Sequence, residues 1–297
     1  MKIVDINHLI NGGKAVYDQM TATQYSIDRS WENCHTAFLK IKLKYNDPKT
    51  EMTLDEKDFL CLSLAWYLAS WGMLRNSFLN EYSHEIHKEA IQVINDHRWD
   101  PLWDIDYATL TLEQAKCIQT LAKELEDTYK AIHRFERDDY QLTDTLKTKI
   151  LLGTIACVPA YDRFFVCALR HSLDKAKAKF CAESLLELKD VYTKFETYFA
   201  SMKEYCDHGN YPSAKLLDMC FFEYGVKLSK IEEESKKILK TIPDFNSRKD
   251  KGRNITNFVC LYVMHGNGAK SFPCLSEIYN KNNTTYDSIR QEVLSKL

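Results

Sequence analysis

The sequence predicts an all-α protein, a multi-helix bundle with a small C-terminal appendage. Apolar residues recur at spacings of three and four along most of the chain, runs that alternate with period two are scarce, and six prolines interrupt the helical periodicity. The best strand candidate, residues 258–264, fits a helix equally well. With 297 residues the chain is long enough for one large domain with a substantial core.

Two capping boxes mark predicted helix starts, since a Thr side chain and a Glu or Gln three residues later can each bind the backbone amide of the other. Thr53 with Glu56 opens an apolar run that continues from Phe59 to Leu74. This run is apolar on every face, so we expect it at the centre of the domain. Thr111 with Gln114 opens an amphipathic helix.

A third pattern of helical spacing begins at Leu217 and predicts a long helix near the end of the main domain. After Pro243 the composition turns polar and basic before apolar residues return at Ile255. We therefore predict a main helical domain over residues 1–245. Residues 246–297 form a small appendage that packs on it, because so short a segment cannot bury much surface alone.

The charge balance and the cysteine content limit the classes of function that the sequence supports. The 40 Lys and Arg nearly balance the 42 Asp and Glu, for a net charge of −2, which gives no strong nucleic-acid signal. The ten cysteines never form C-x-x-C, which favours reduced thiols. Asp5 interrupts any apolar run at the start, and the 59–74 run is shorter than the roughly 20 residues of a membrane span. We expect a cytoplasmic protein with no membrane association.

Charged residues beside the two most apolar helices suggest the first candidate site. Trp71 and Arg75 end one of these helices, and Tyr161, Asp162 and Arg163 follow a break in the other. A charge beside a core helix needs a partner, because an unpaired buried charge is costly. These residues therefore form either a structural ion pair or a binding pocket for a ligand.

In particular, we expect Arg75 and Asp162 to meet near the middle of the domain. Gly72 and Gly153 lie close to them in the sequence and would let two helix backbones approach closely. A guanidinium and a carboxylate would then satisfy one another.

A second candidate site rests on a family resemblance. Arg29 and His35 are separated by five residues, and this spacing resembles the R-x4–6-H motif of HEPN ribonucleases, which are small all-helical domains. The resemblance implies that Arg29 and His35 act on an RNA phosphodiester without a metal ion, as in bacterial defence or toxin systems.

A third resemblance involves the segment that runs from Gly153 through Pro159 to Asp162. It resembles the stretch before the catalytic Asp of helix-hairpin-helix DNA glycosylases, where an Asp also follows a loop that contains a proline. The L-P-G-x-G hairpin of that family is missing ahead of it.

No metal or cofactor site is predicted. His84 and His87 are three residues apart and could share a metal, but the sequence indicates no third ligand, so we expect no stoichiometric zinc. Glycine-rich phosphate loops and the G-x-S-x-G motif are absent, which argues against several nucleotide-binding and hydrolase classes.

The leading hypothesis is thus a helical binding or interaction protein with a polar pocket between its central helices. Its partner is then a protein or a small ligand. The ribonuclease and the DNA glycosylase remain the alternatives, and the sequence leaves open whether the chain is an enzyme.

Overall fold

The computed structural model describes residues 6–45, 51–75, 77–133, 142–172, 178–206 and 210–240, together with Gln291 and Ser295. These residues form ten α-helices and no strand, so the predicted all-α class is confirmed. The α-helices are Ile6–Thr21 (α1), Ser30–Lys44 (α2), Leu54–Ser70 (α3), Lys88–Ile94 (α4), Leu112–Ile132 (α5), Asp144–Gly153 (α6), Arg163–Ser172 (α7), Ala182–Lys194 (α8), Glu196–Tyr205 (α9) and Ser213–Lys240 (α10). Short 3-10 helices cover Ile27–Arg29, Phe78–Glu81, His84–His87 and His97–Leu102.

Both predicted capping boxes are confirmed. The Thr53 hydroxyl accepts from the Glu56 amide and the Glu56 carboxylate accepts from the Thr53 amide, at the start of α3. Thr111 and Gln114 make the same reciprocal pair at the start of α5. Each box satisfies two amides that the first helical turn leaves unpaired, so these sequences fix where the two helices begin.

The position expected for α3 is wrong in part. Leu60 and Leu64 are fully buried, but Leu62 and Trp66 on the opposite side are 49% and 58% exposed. The helix packs on α2, α4 and α6 with one face and leaves the other uncovered. An apolar composition all round therefore does not place this helix at the centre of the domain.

The helices surround one continuous apolar core. The long helix predicted from Leu217 onwards is α10, which lies against α1, α7 and α9, while α6 lies against α2, α3 and α5. Among the described residues no helix has both the length and the apolar composition that a membrane crossing requires. The proposed appendage, residues 246–297, and the strand candidate within it fall outside the described ranges apart from Gln291 and Ser295.

Candidate functional site

A buried loop connects α6 to α7. Its residues 154–161 are all buried, although loops usually run over the surface because their backbone polar groups need partners. Ala156 has a φ of 58°, a left-handed conformation that is uncommon for a residue with a Cβ. A loop with these properties requires partners from the helices around it.

Side chains from three helices supply those partners. On α2, His35 Nδ1 lies 2.7 Å from the Thr154 carbonyl of the loop, and Trp31 Nε1 donates at 2.8 Å to the Leu152 carbonyl in the last turn of α6. On α10, Asp218 Oδ1 accepts from the Ala160 amide at 3.0 Å. On α6, Thr148 Oγ1 accepts from the Tyr161 amide at 2.8 Å. The loop is thereby fixed between α2, α6 and α10.

Two buried lysines lie beside this loop, and the first pairs with Asp162. Lys149 on α6 is 3% exposed, and its Nζ lies 3.4 Å from Asp162 Oδ2 and 4.2 Å from the centre of the Trp71 ring. Asp162 begins α7, where its Oδ1 also accepts from the Phe164 and Phe165 amides. The carboxylate thus serves both as a helix cap and as the counter-ion of Lys149.

The second buried lysine is on α10. Lys215 Nζ lies 3.1 Å from Asp218 Oδ2, and both side chains are less than a tenth exposed. The same ammonium lies 5.0 Å from the Trp31 ring centre and 5.8 Å from that of Trp71. Burial lowers the pKa of Lys215, and the nearby Lys149 charge lowers it further against the opposing effect of Asp218.

Two hydrogen-bond donors beside these charges have no partner among the described residues. They are the Tyr67 hydroxyl and Trp71 Nε1, both at the C-terminal end of α3. Burial raises the pKa of Tyr67 well above its ordinary value, and the Asp218 and Asp162 carboxylates raise it further. The hydroxyl therefore stays protonated and remains a donor.

We call this group the lysine–aspartate cluster: Trp31, Tyr67, Trp71, Lys149, Asp162, Lys215 and Asp218. It gathers four charged side chains, two indole rings and two unpaired donors from α2, α3, α6, α7 and α10. Chemically it can hold a polar ligand by charge and by hydrogen bonds, or supply an amine of lowered pKa.

Trp31 also connects the cluster to a surface cleft of about 630 Å³. Glu32 and Tyr211 line this cleft together with Arg29, whose Nε donates to the Glu32 carboxylate at 2.6 Å. The Tyr211 hydroxyl donates to the other Glu32 oxygen, and its ring lies 5.3 Å from that of Trp31. The cleft therefore reaches inward as far as the indole that faces Lys215.

The two residues of the ribonuclease motif have different surroundings. Arg29 lines the cleft and pairs with Glu32, whereas His35 is stacked on Trp31 and faces the Thr154 carbonyl. Burial lowers the pKa of His35. No hydrogen bond between Arg29 and His35 is found in the described part of the chain, and a phosphodiester role for them stays a prediction.

The predicted pairing of Arg75 with Asp162 is wrong. Arg75 is exposed, and Asp162 pairs with Lys149 instead. The reason is the end of α3: Gly72 adopts a φ of 72° and terminates the helix after Ser70, so the chain turns away before Arg75. Gly72 ends a helix here and does not bring two backbones together.

The other predicted binding residues are also separated. Trp71 belongs to the cluster, but the buried Tyr161 hydroxyl lies 2.7 Å from Ser184 Oγ on α8. Arg163 is exposed, with its guanidinium 4.3 Å from the centre of the Phe164 ring. The structure thus brings Trp71 and Asp162 together, whereas the side chains of Tyr161 and Arg163 lie elsewhere.

Sequence reasoning missed both lysines of the cluster. Lysine on a helix normally points to water, so Lys149 and Lys215 gave no signal of their own. A usable signal was the context of Lys215, which stands three residues before Asp218 in a segment that is otherwise apolar from Ala214 to Phe222. A lysine and an aspartate one turn apart on an apolar segment can be buried as a pair.

The two histidines considered as metal ligands face different partners. His84 Nε2 lies 2.7 Å from Asp58, whereas His87 is buried with its Nδ1 2.7 Å from the Tyr129 hydroxyl. A different group, Cys167, His171 and Glu232, brings three ligand atoms within 4.8 Å of one another. Within the described ranges this is the group whose geometry could hold a metal ion.

Comparison with protein-family models, with curated proteins and with solved structures finds no match to this chain.

Proposed function

We propose that this chain is a small-molecule-binding protein and that the lysine–aspartate cluster is its binding site. The observation that carries the proposal is the pair of unpaired donors, the Tyr67 hydroxyl and Trp71 Nε1, beside two buried ion pairs. Leaving a buried donor unpaired costs about 1–3 kcal/mol. A ligand that accepts both hydrogen bonds would remove this cost.

The chemistry of these groups defines the ligand. An indole N–H can only donate, and the Tyr67 hydroxyl stays protonated, so both need acceptor oxygens. The ammonium groups of Lys149 and Lys215 favour acceptors that carry negative charge. The ligand is thus a small carboxylate or phosphate compound, and the Trp71 ring offers a face for a planar substituent.

The partly exposed residues of and around the cluster support entry of a ligand from the side of α7. Asp162 is 13% exposed, and Trp71, Phe164 and Phe222 are each partly exposed. The rings of Trp71 and Phe222 meet edge to face at 5.9 Å, and Phe222 meets Phe164 in the same way at 5.4 Å. This aromatic edge is where the cluster comes closest to solvent.

Binding is tested with the full-length chain and four defined probes: inorganic phosphate, acetate, succinate and AMP. We expect at least one of them to raise the melting temperature and to change the tryptophan fluorescence, since Trp31 and Trp71 lie in the cluster. A ligand present at about 100 times its Kd stabilises the folded state by about 2.7 kcal/mol.

Matched variants separate binding from stability. Tyr67→Phe and Trp71→Phe each remove one donor but keep an aromatic ring. We expect each to weaken binding by about 10- to 150-fold, since one hydrogen bond to a charged group is worth about 1.5–3 kcal/mol. Tyr107→Phe and Trp99→Phe are the controls, because these side chains also hold buried unpaired donors. If no probe binds, or all four variants behave alike, the cluster is a structural ion-pair network and the proposal is wrong.

The DNA glycosylase is a second candidate, favoured by the Lys149–Asp162 pair. An amine lies beside an aspartate that begins a helix after a loop with a proline, which is a suitable arrangement for attack on a sugar carbon. Strand scission of duplexes that carry damaged bases, lost in Asp162→Asn, would support it.

The ribonuclease alternative is tested by metal-free RNA degradation that is lost in His35→Ala.

A further inference from the structure

Helices α7 and α10 are held in close contact at a fixed register. A Cβ added to Gly225 on α10 would lie 1.9 Å from the Phe164 carbonyl oxygen on α7. Two helical turns further along each helix, His171 Nε2 lies 2.9 Å from Glu232 Oε1. The two helices therefore run in the same direction along this contact, and the glycine sets which residues face one another.

Cys167 joins the pair of His171 and Glu232. It precedes His171 by one helical turn, so that both side chains lie on one face of α7. The sulfur, a ring nitrogen and a carboxylate oxygen of the three residues all lie within 4.8 Å of one another. The His171–Glu232 hydrogen bond alone does not require a sulfur atom at this position.

The surroundings differ from those of a solvated acidic cluster. The His171 side chain is 4% exposed and that of Glu232 is 23% exposed. Lys236 Nζ lies 3.3 Å from Glu232 Oε2, the oxygen that does not face His171. Lys236 thus contacts the oxygen that is free of His171, while Oε1 faces the imidazole, which is the position of an outer-shell partner of a metal ligand.

We propose that Cys167, His171 and Glu232 form a zinc site. One sulfur, one nitrogen and one oxygen are the ligand types of Zn²⁺, with bonds of about 2.0–2.3 Å that place tetrahedral ligand atoms ~3.3–3.8 Å apart. Small movements of the side chains convert the present arrangement into this one. Three protein ligands leave a fourth position for a water molecule.

Zinc binding displaces the proton on the Cys167 sulfur, and this proton is released to solvent. The neutral imidazole of His171 changes tautomer: Nε2 loses the hydrogen that faces Glu232 and Nδ1 gains one, so the imidazole releases no net proton. Glu232 exchanges its hydrogen bond to His171 for a bond to the metal.

This proposal differs from the sequence expectation of no zinc. That expectation considered His84 and His87, whose side chains bond to different partners, Asp58 and the Tyr129 hydroxyl. Glu232 lies 61 residues after His171, so its arrival depends on how α7 packs on α10, which spacing within one helix does not show.

The test uses the untagged full-length chain after chelator treatment. We expect about one zinc per chain by elemental analysis after equilibrium dialysis. Co²⁺ in place of zinc should give the near-ultraviolet charge-transfer band of a cobalt thiolate. Cys167→Ser and His171→Gln should each weaken zinc binding by at least ~100-fold, the upper end of the range for loss of an outer-shell partner. Cys117→Ser, which changes an exposed cysteine, should leave binding unchanged.

A second measurement does not depend on variants that fold. In the wild-type chain, zinc should protect Cys167 from alkylation and leave Cys117 reactive, as read from the labelled peptides. The proposal is overturned if the wild-type chain binds no stoichiometric zinc at micromolar concentration. It is also overturned if zinc binds with undiminished affinity to Cys167→Ser or leaves Cys167 as reactive as before.

Discussion

Lys149 and Lys215 carry ammonium groups that the fold removes almost completely from water. A buried charge is tolerated when a counter-ion and hydrogen bonds replace its hydration, and each lysine has one aspartate for this purpose. Asp218 contributes twice, because its other oxygen accepts from the Ala160 amide and fixes the buried loop. Charge pairing and loop placement therefore depend on the same carboxylate.

The Tyr67 hydroxyl gives a prediction at this scale. Without ligand, Tyr67→Phe should leave the free energy of unfolding unchanged or raise it by up to ~1 kcal/mol, because the change removes a buried donor that has no partner. Urea denaturation measures this quantity. Tyr129→Phe is the contrasting variant: its hydroxyl is bonded to His87, so we expect a loss of about 1–2 kcal/mol. A loss of 2 kcal/mol or more in Tyr67→Phe would show that the hydroxyl has a partner in the folded chain.

At the scale of elements, local sequence signals determine where helices begin but not how they face one another. The capping boxes of α3 and α5 depend on residues three apart, and both were predicted correctly. The face that α3 buries depends on α2, α4 and α6, and the prediction was wrong there. The predicted pairing of Arg75 was wrong for a related reason: Gly72, with its positive φ, ends the helix and changes the direction of the chain before Arg75.

The contact between α7 and α10 gives a prediction at the scale of elements. Gly225→Ala should lower the free energy of unfolding by about 2–3 kcal/mol, since the added methyl group meets the backbone oxygen of Phe164 and the helices must separate. For a domain of this size, that corresponds to a fall of roughly 5–10 °C in melting temperature. Better helix propensity offsets less than 1 kcal/mol of the loss.

Gly12→Ala on α1 is the matched control. Its added Cβ would meet the flexible Glu223 side chain at 3.1 Å, not a backbone atom, so we expect little change or a small stabilisation. Equal melting temperatures for the two variants would contradict the close approach at Gly225. If the zinc site depends on the same register, Gly225→Ala should weaken zinc binding as well, whereas Gly12→Ala should not.

At the scale of the whole molecule, the candidate site consists of residues that are far apart in the chain. Trp31, Trp71, Lys149 and Lys215 come from four helices, and the distances between them depend on the packing of the complete core. The sequence predicted Trp71 and Asp162 because each stands beside an apolar helix. It could not predict their partners, because a periodic pattern identifies a buried face without specifying the helix that covers it.

Burial of neutral histidine predicts how the whole domain responds to acid. Burial, with a smaller contribution from the neighbouring His84 charge, lowers the pKa of His87 from 6.5 to about 4. Between pH 6.5 and about pH 4 the imidazole of His87 is protonated in the unfolded chain but stays neutral in the folded chain. Because the unfolded state binds more protons in this range, acid favours unfolding. The pKa of His35 is lowered by burial too, and its effect has the same sign.

We therefore expect the protonation of His87 alone to lower the free energy of unfolding by about 3 kcal/mol as the pH decreases from 6.5 to 4. Above pH 6.5, His87 should add no pH dependence to this free energy. Urea denaturation at half-unit steps of pH measures the slope. In His87→Gln, whose amide can still bond the Tyr129 hydroxyl, the slope between pH 6.5 and 4 should be clearly smaller. His97→Gln, at a partly exposed histidine beside Asp100, is the control and should keep most of the wild-type slope. Equal slopes in His87→Gln and the wild-type chain would mean that His87 takes up its proton in the folded state as readily as in the unfolded one, and the buried environment assigned to it would then be wrong.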